Sequence, residues 1–147
     1  MNTAELAARR TRLRAITAQL RELEQTRSSL RADQLQLIRD AIGAGATIHT
    51  DVVAASGVSR AYLHKEGVRP PAVKANRPEQ AKELLSRIST LRDEIAQLEA
   101  KSISTALQER NELIRELRPH MLQKDLAADA QVSPEWIRLL GKSARKA

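Results

Sequence analysis

Cysteine and phenylalanine are absent from the 147 residues, and there is one Tyr and one Trp. Without cysteine the chain has no disulfide, no thiolate metal site and no cysteine nucleophile. Valine is scarce, at 6 residues. Aromatic and β-branched side chains favour strands, so a β-sandwich or barrel is not expected. No apolar run approaches the roughly 18 residues of a membrane span. No continuous apolar stretch near the N-terminus marks a signal peptide.

What is present is helix-forming and basic. Ala contributes 23 residues and Leu 19, both strong helix formers. Lys and Arg number 25 against 18 Asp and Glu, a formal charge of +7. A positive excess points to a polyanionic partner, most often nucleic acid. The expected protein is all-α, soluble and cytoplasmic. Its length allows one ordinary domain, or two small units on a scaffold.

Residues 3–43 hold no Pro, and no Gly before Gly43. Asn2 and Glu5 have the spacing of a capping box at a helix start. Heptad positions fall at 6, 13, 20, 27, 34 and 41, and at 9, 16, 23, 30 and 37. Eight of these eleven are apolar, with polar breaks at Arg9, Arg27 and Gln34. That pattern predicts a coiled-coil seam, ending near Gly43-Ala44-Gly45.

A second long helix is expected over 78–118. Asn76 and Glu79 repeat the capping spacing, and Pro78 suits a first turn. Ala81, Leu84, Ile88, Leu91, Ile95 and Leu98 step by three and four. The stripe then slips by one residue and resumes as Ile103, Leu107, Ile114 and Leu117, which changes the local winding. Glu79–Lys82, Glu83–Arg87 and Glu112–Arg115 have helix-supporting spacings. Gly67, Pro70 and Pro71 make 67–77 a linker.

An internal repeat is present. Residues 51–63, DVVAASGVSRAYL, align without gaps on 125–137, DLAADAQVSPEWI, at an offset of 74. Tyr62 and Trp136, the only aromatics, fall at one register. The expected organisation is a long helix plus a small motif over 1–66, the linker at 67–77, and a long helix plus a second motif over 78–147. The motifs span 48–66 and 122–141, and a basic tail follows the second.

Each motif reads as two short helices around a tight turn. In the first, Thr50 is the expected cap of one helix, Gly57 the left-handed turn residue and Ser59 the cap of the next. Val52, Val53, Val58 and Leu63 should pack on Leu37, Ile38 and Ile42. This is a helix-turn-helix. The run Asp-Val-Val-Ala-Ala-Ser-Gly-Val-Ser-Arg-Ala-Tyr-Leu resembles the helix-turn-helix of LacI-type and MerR-type regulators. Val53 stands where many of those have Ala. Residues 48–65 beside a coiled coil are also similar to accessory proteins of transposons encoding two tyrosine recombinases, and to KfrA-type plasmid proteins. Those groups carry one motif ahead of the coiled coil, whereas here a long helix comes first and the motif is doubled. The resemblance covers about 20 residues per copy.

In such motifs the second short helix enters the major groove. The resemblance therefore implies base or phosphate contact by Ser59, Arg60, Ala61, His64 and Lys65. Arg60 suits a bidentate bond to guanine, and Thr50 and Ser59 suit phosphate. Tyr62 should be half-buried with its hydroxyl near phosphate, and Arg69 extends the basic surface. In the second copy the corresponding set is Ser133, Glu135, Trp136, Arg138 and Lys142. There Gln131 replaces the turn glycine and Ser133-Pro134 starts the helix. Glu135 disfavours phosphate, so a protein-binding or structural second copy stays open. So does a solvated role for any of these polar residues.

Arg9, Arg10, Arg12 and Arg14 either follow a phosphate backbone or flank the coiled coil. The three histidines, at 49, 64 and 120, lack ligand spacing, and no phosphate-cradling Gly loop is present. Neither catalysis nor a cofactor or metal is expected. The expected function is DNA binding in transcription regulation or in a mobile-element or plasmid accessory role. The partners are double-stranded DNA, a second copy of the chain, and a recombinase or other protein, without a membrane. A coiled-coil protein-interaction scaffold that does not touch DNA is the alternative.

Overall fold

The computed structural model describes the backbone of residues 1–145 and the side chains of residues 1–140. All regular elements among them are helical, so the fold is all-α. Helix α1 is Thr3–Gly43, α2 Val53–Ser56 and α3 Arg60–Lys65. Helices α4 (Pro78–Gln97) and α5 (Ser104–Leu117) are joined by a π-helical turn at Leu98–Ile103. Helices α6 (Gln123–Ala130) and α7 (Pro134–Arg145) complete the chain. No helix among the described residues is long and apolar enough to cross a membrane.

The start of α1 follows from its first residues. Asn2 Oδ1 accepts from the Glu5 amide at 2.8 Å, and its Nδ2 donates to Glu5 Oε1 at 3.2 Å. The first bond satisfies one backbone donor that a helix start leaves open, and the second holds the two side chains together. The helix stops where Gly45 takes a φ of 111°. The Ala46 amide then bonds Ala41 O, and the Gly45 amide bonds Ile42 O, a Schellman closure. Asn76 does not cap α4. Arg77 holds the cap position without a side-chain bond, and its amide donates to Ala44 O at 2.9 Å. The end of the linker is thereby tied to the end of α1.

The slipped apolar stripe has a direct structural counterpart. In an uninterrupted α-helix the five residues from Leu98 to Ile103 turn by about 140° off the common face. At the slip the helix takes a wider i→i+5 turn, Leu98–Ile103. Ile103 is buried, as are Ala106, Leu113, Ile114 and Leu117 beyond it.

The chain forms two compact units. One comprises Thr26–Glu99, the other Met1–Gln25 with Ala100–Ala147. The Thr26–Glu99 unit has a core of Ile38, Ala41, Ile42, Val52, Leu63, Val68, Leu84 and Ile88, with Ala44, Ala46 and Ala81 also buried in it. Val53, Val58, Leu37 and Tyr62 pack against it from its edge. The discontinuous unit buries Leu13, Ile16 and Leu20 of α1, with Ile114, Leu117, Leu126 and Ile137. All eleven seam positions of α1 are buried or half-buried.

Each unit pairs α1 with a later helix of the same chain, antiparallel. In the discontinuous unit Arg9 meets Glu116 at 2.7 Å and Arg12 meets Glu109 at 2.7 Å. In the other, Arg31 meets Glu99 at 3.0 Å, while Ile38 and Ile42 share a core with Leu84 and Ile88.

Candidate nucleic-acid interface

The first helix of the first motif is capped three residues earlier than its sequence suggests. Thr47, not Thr50, is the cap. Its hydroxyl accepts from the Asp51 amide, and the Asp51 carboxylate accepts from the Thr47 amide at 2.9 Å. A π-helical turn, Ile48–Val52, then feeds α2. Thr50 sits exposed in that turn with its hydroxyl against that of Thr47.

Gly57 closes α2 in the left-handed region, φ 72°. Ser59 starts α3, its Oγ accepting from the Tyr62 amide at 3.1 Å. Because the helix begins there, Leu63 points into the core at 0% exposure. Tyr62 is half-buried beside it. The opposite face of α3 carries Arg60, Ala61, His64 and Lys65, all exposed. Among the described residues, Arg60, His64 and Lys65 have no side-chain hydrogen-bond or ion-pair partner. Arg69 folds back, donating to His64 O at 3.0 Å and Val68 O at 3.1 Å, and so closes the C-terminal end of α3. Arg39 of α1 donates to Glu66 O at 3.1 Å. With Arg69 it rims a hollow of about 190 Å³. Arg39 is not among the residues that the sequence singles out. Its position beside Ile38 and Ile42, the expected core contacts of the motif, was the available signal.

The second motif repeats the backbone and changes the surface. Gln131 takes the left-handed turn, φ 53°. Ser133 Oγ accepts from the Trp136 amide at 3.1 Å. Ile137 and Leu126 are 0% exposed, as Leu63 and Val52 are. At the positions of Arg60, Ala61, His64 and Lys65 stand Pro134, Glu135, Arg138 and Leu139. Glu135 and Arg138 pair with each other. The Arg138 hydrogen bond holds the Glu135 carboxyl below the usual carboxylate range, against the opposing effect of desolvation. The Arg110 guanidinium lies 4.8 Å from the centre of the Trp136 ring, a cation–π arrangement. Burial lowers the Arg110 pKa, and the Glu24 charge opposes that. The side chain of Lys142 lies outside the described residues.

The arginine cluster of α1 faces protein. Arg10 and Arg14 hold Asp129 at 2.8 and 3.1 Å, while Arg9 and Arg12 hold Glu116 and Glu109. Burial pushes the Asp129 carboxyl up, but the two arginine hydrogen bonds outweigh it, so the net shift is downward. Thr17 Oγ1 adds a bond to Asp129 O at 3.2 Å. These contacts fix the end of α6 on α1.

No family model, curated protein or solved structure matches the sequence.

Proposed function

We propose that the protein binds double-stranded DNA through the first motif, with α3 in the major groove and no catalysis. One observation carries the reading: α3 is a capped helix whose exposed face holds Arg60, His64 and Lys65 without internal partners. Elsewhere Arg9, Arg10, Arg12 and Arg14 are consumed in ion pairs. Arg60 and Lys65 are cations on a groove-sized helix and neutralise phosphate, and an arginine in its first turn reads base edges. Ser59 supports phosphate contact, because its hydroxyl proton is free while its oxygen caps the helix. The setting we propose is cytoplasmic, in transcription regulation or as an accessory of a plasmid or mobile element.

The second motif is better suited to protein. Leu139 replaces the lysine of the first copy and is 50% exposed; Leu122, at the start of α6, is 66% exposed. We assign this copy to a protein partner such as a recombinase. A homodimer remains part of the proposal, but on a surface other than the α1 seam, which the chain covers itself.

Binding of labelled random duplex DNA across a salt series tests the reading. Affinity should fall linearly on a log–log scale, with a slope of about −0.9 per neutralised phosphate. No detectable binding at low salt would leave the interaction-scaffold reading in its place.

A further inference from the structure

A cleft of about 290 Å³ opens between α1, the turn of the first motif and α4. Gln34 of α1 lines it. Gln34 is only 3% exposed, yet its Nε2 has no hydrogen-bond partner. A buried amide left without an acceptor is costly, and native structures seldom keep one without use. Two guanidiniums line the same cleft. Arg31 spends Nη2 on Glu99, and Arg92 spends Nε on Asp93 and Nη1 on Ala54 O. Their remaining nitrogens have no partner among the described residues. Glu99 is the single carboxylate of the lining and is already engaged by Arg31, with Arg27 at 3.8 Å. The cleft thus offers several free donors and an excess of one positive charge. Val58, Ile95 and Ala96 supply an apolar wall.

We propose that this cleft binds a small monocarboxylate with an apolar body. The carboxylate accepts from the unspent guanidinium nitrogens of Arg31 and Arg92, and from Gln34 Nε2, which is covered in the unliganded chain and turns toward the cleft on binding. The body lies on Val58 and Ile95. Charge, donor count and volume agree on this class: one negative charge, acceptors only, and a body about the size of an aromatic ring. Residues 56–58 are the turn that mounts α3. Ligand in the cleft therefore holds that turn against α1 and α4. The binding itself is independent of any role in DNA recognition.

Benzoate is the probe, titrated into the full chain while NMR follows the Gln34 side-chain amide and the Gly57 backbone amide. Saturable shifts at both are expected. Gln34→Leu should weaken benzoate by about tenfold or more, the effect of losing one hydrogen bond to a charged group. Neutral benzamide should bind the native chain more weakly still. Circular dichroism establishes that Gln34→Leu keeps its helices. If it does not, Arg92→Gln, a change at a half-buried residue of the same lining, carries the same comparison. No saturable shift in the native chain, undiminished affinity in the folded variant, or equal affinity for benzamide overturns the proposal.

Discussion

Arg10 Nε donates to Asp129 Oδ2 at 2.8 Å, joining the first turns of α1 to the last turn of α6. Arg14 reaches the other oxygen, and the Asp129 side chain is left 9% exposed. The pairing lowers the carboxyl pKa in the folded state. Its stabilisation is therefore fully present above the ordinary aspartate value of about 3.9 and is lost as pH falls through the lower folded value. Asp129→Asn should cost about 1–2 kcal/mol at neutral pH, a modest figure because both arginines are partly exposed. Urea denaturation from pH 7 to pH 2 should show the native and variant curves converging in acid. A constant difference across that range is incompatible with the ion-pair account.

Gly45 is the most constrained glycine among the described residues. Its φ is 111°, and a Cβ there falls 2.4 Å from the Ala75 carbonyl oxygen. Backbone is the obstacle, so no side-chain rotation relieves it. Gly45→Ala should destabilise by about 2–4 kcal/mol, measured as a loss in denaturation midpoint.

Gln131 and Gly57 take the same left-handed turn with different residues. A side chain with a Cβ is disfavoured there by about 1 kcal/mol. Gln131→Gly should stabilise by about 0.5 kcal/mol, since it also loses the bond Gln131 accepts from Arg21. Gly57→Gln should destabilise by about 1–2 kcal/mol; the new Cβ also lies 3.3 Å from Arg92 Cδ. Paired chemical denaturation curves read both signs, and same-sign shifts contradict the argument.

The proposed DNA role separates the two copies. Arg60→Ala should weaken binding to a selected duplex by about 1–3 kcal/mol and relax preference at one base pair. Arg138→Ala should change it little, because Glu135 already neutralises Arg138. Competition binding on a randomised duplex library checks both. Equal losses from the two substitutions would remove the assignment of α3 as the reading helix.

Much of the fold was legible because periodicity and turn chemistry are local. The heptad stripe of α1, the capping pair Asn2–Glu5 and the left-handed glycine before Ser59 each act within one or two turns of helix. The repeat exposed the shared core positions Val52, Leu126, Leu63 and Ile137, because burial on one face imposes the same residue class in each copy. The one-residue slip between Leu98 and Ile103 marked the π-helical turn for the same reason.

The sequence by itself determined the helices, the doubled motif and which faces are apolar. Tertiary structure decided what the charges do. Side chains paired at helical spacing on paper, Glu79–Lys82, Glu83–Arg87 and Glu112–Arg115, form no ion pair within 4 Å, whereas Arg9, Arg10, Arg12 and Arg14 find Glu116, Asp129 and Glu109 about a hundred positions away. Long flexible charged side chains gain little from an exposed neighbour on their own helix. A carboxylate held against a facing helix offers a fixed, partly desolvated acceptor. Only the antiparallel packing of α1 on later helices creates such acceptors. It leaves Arg60 and Lys65 free at the surface and the amide of Gln34 unmet in its cleft.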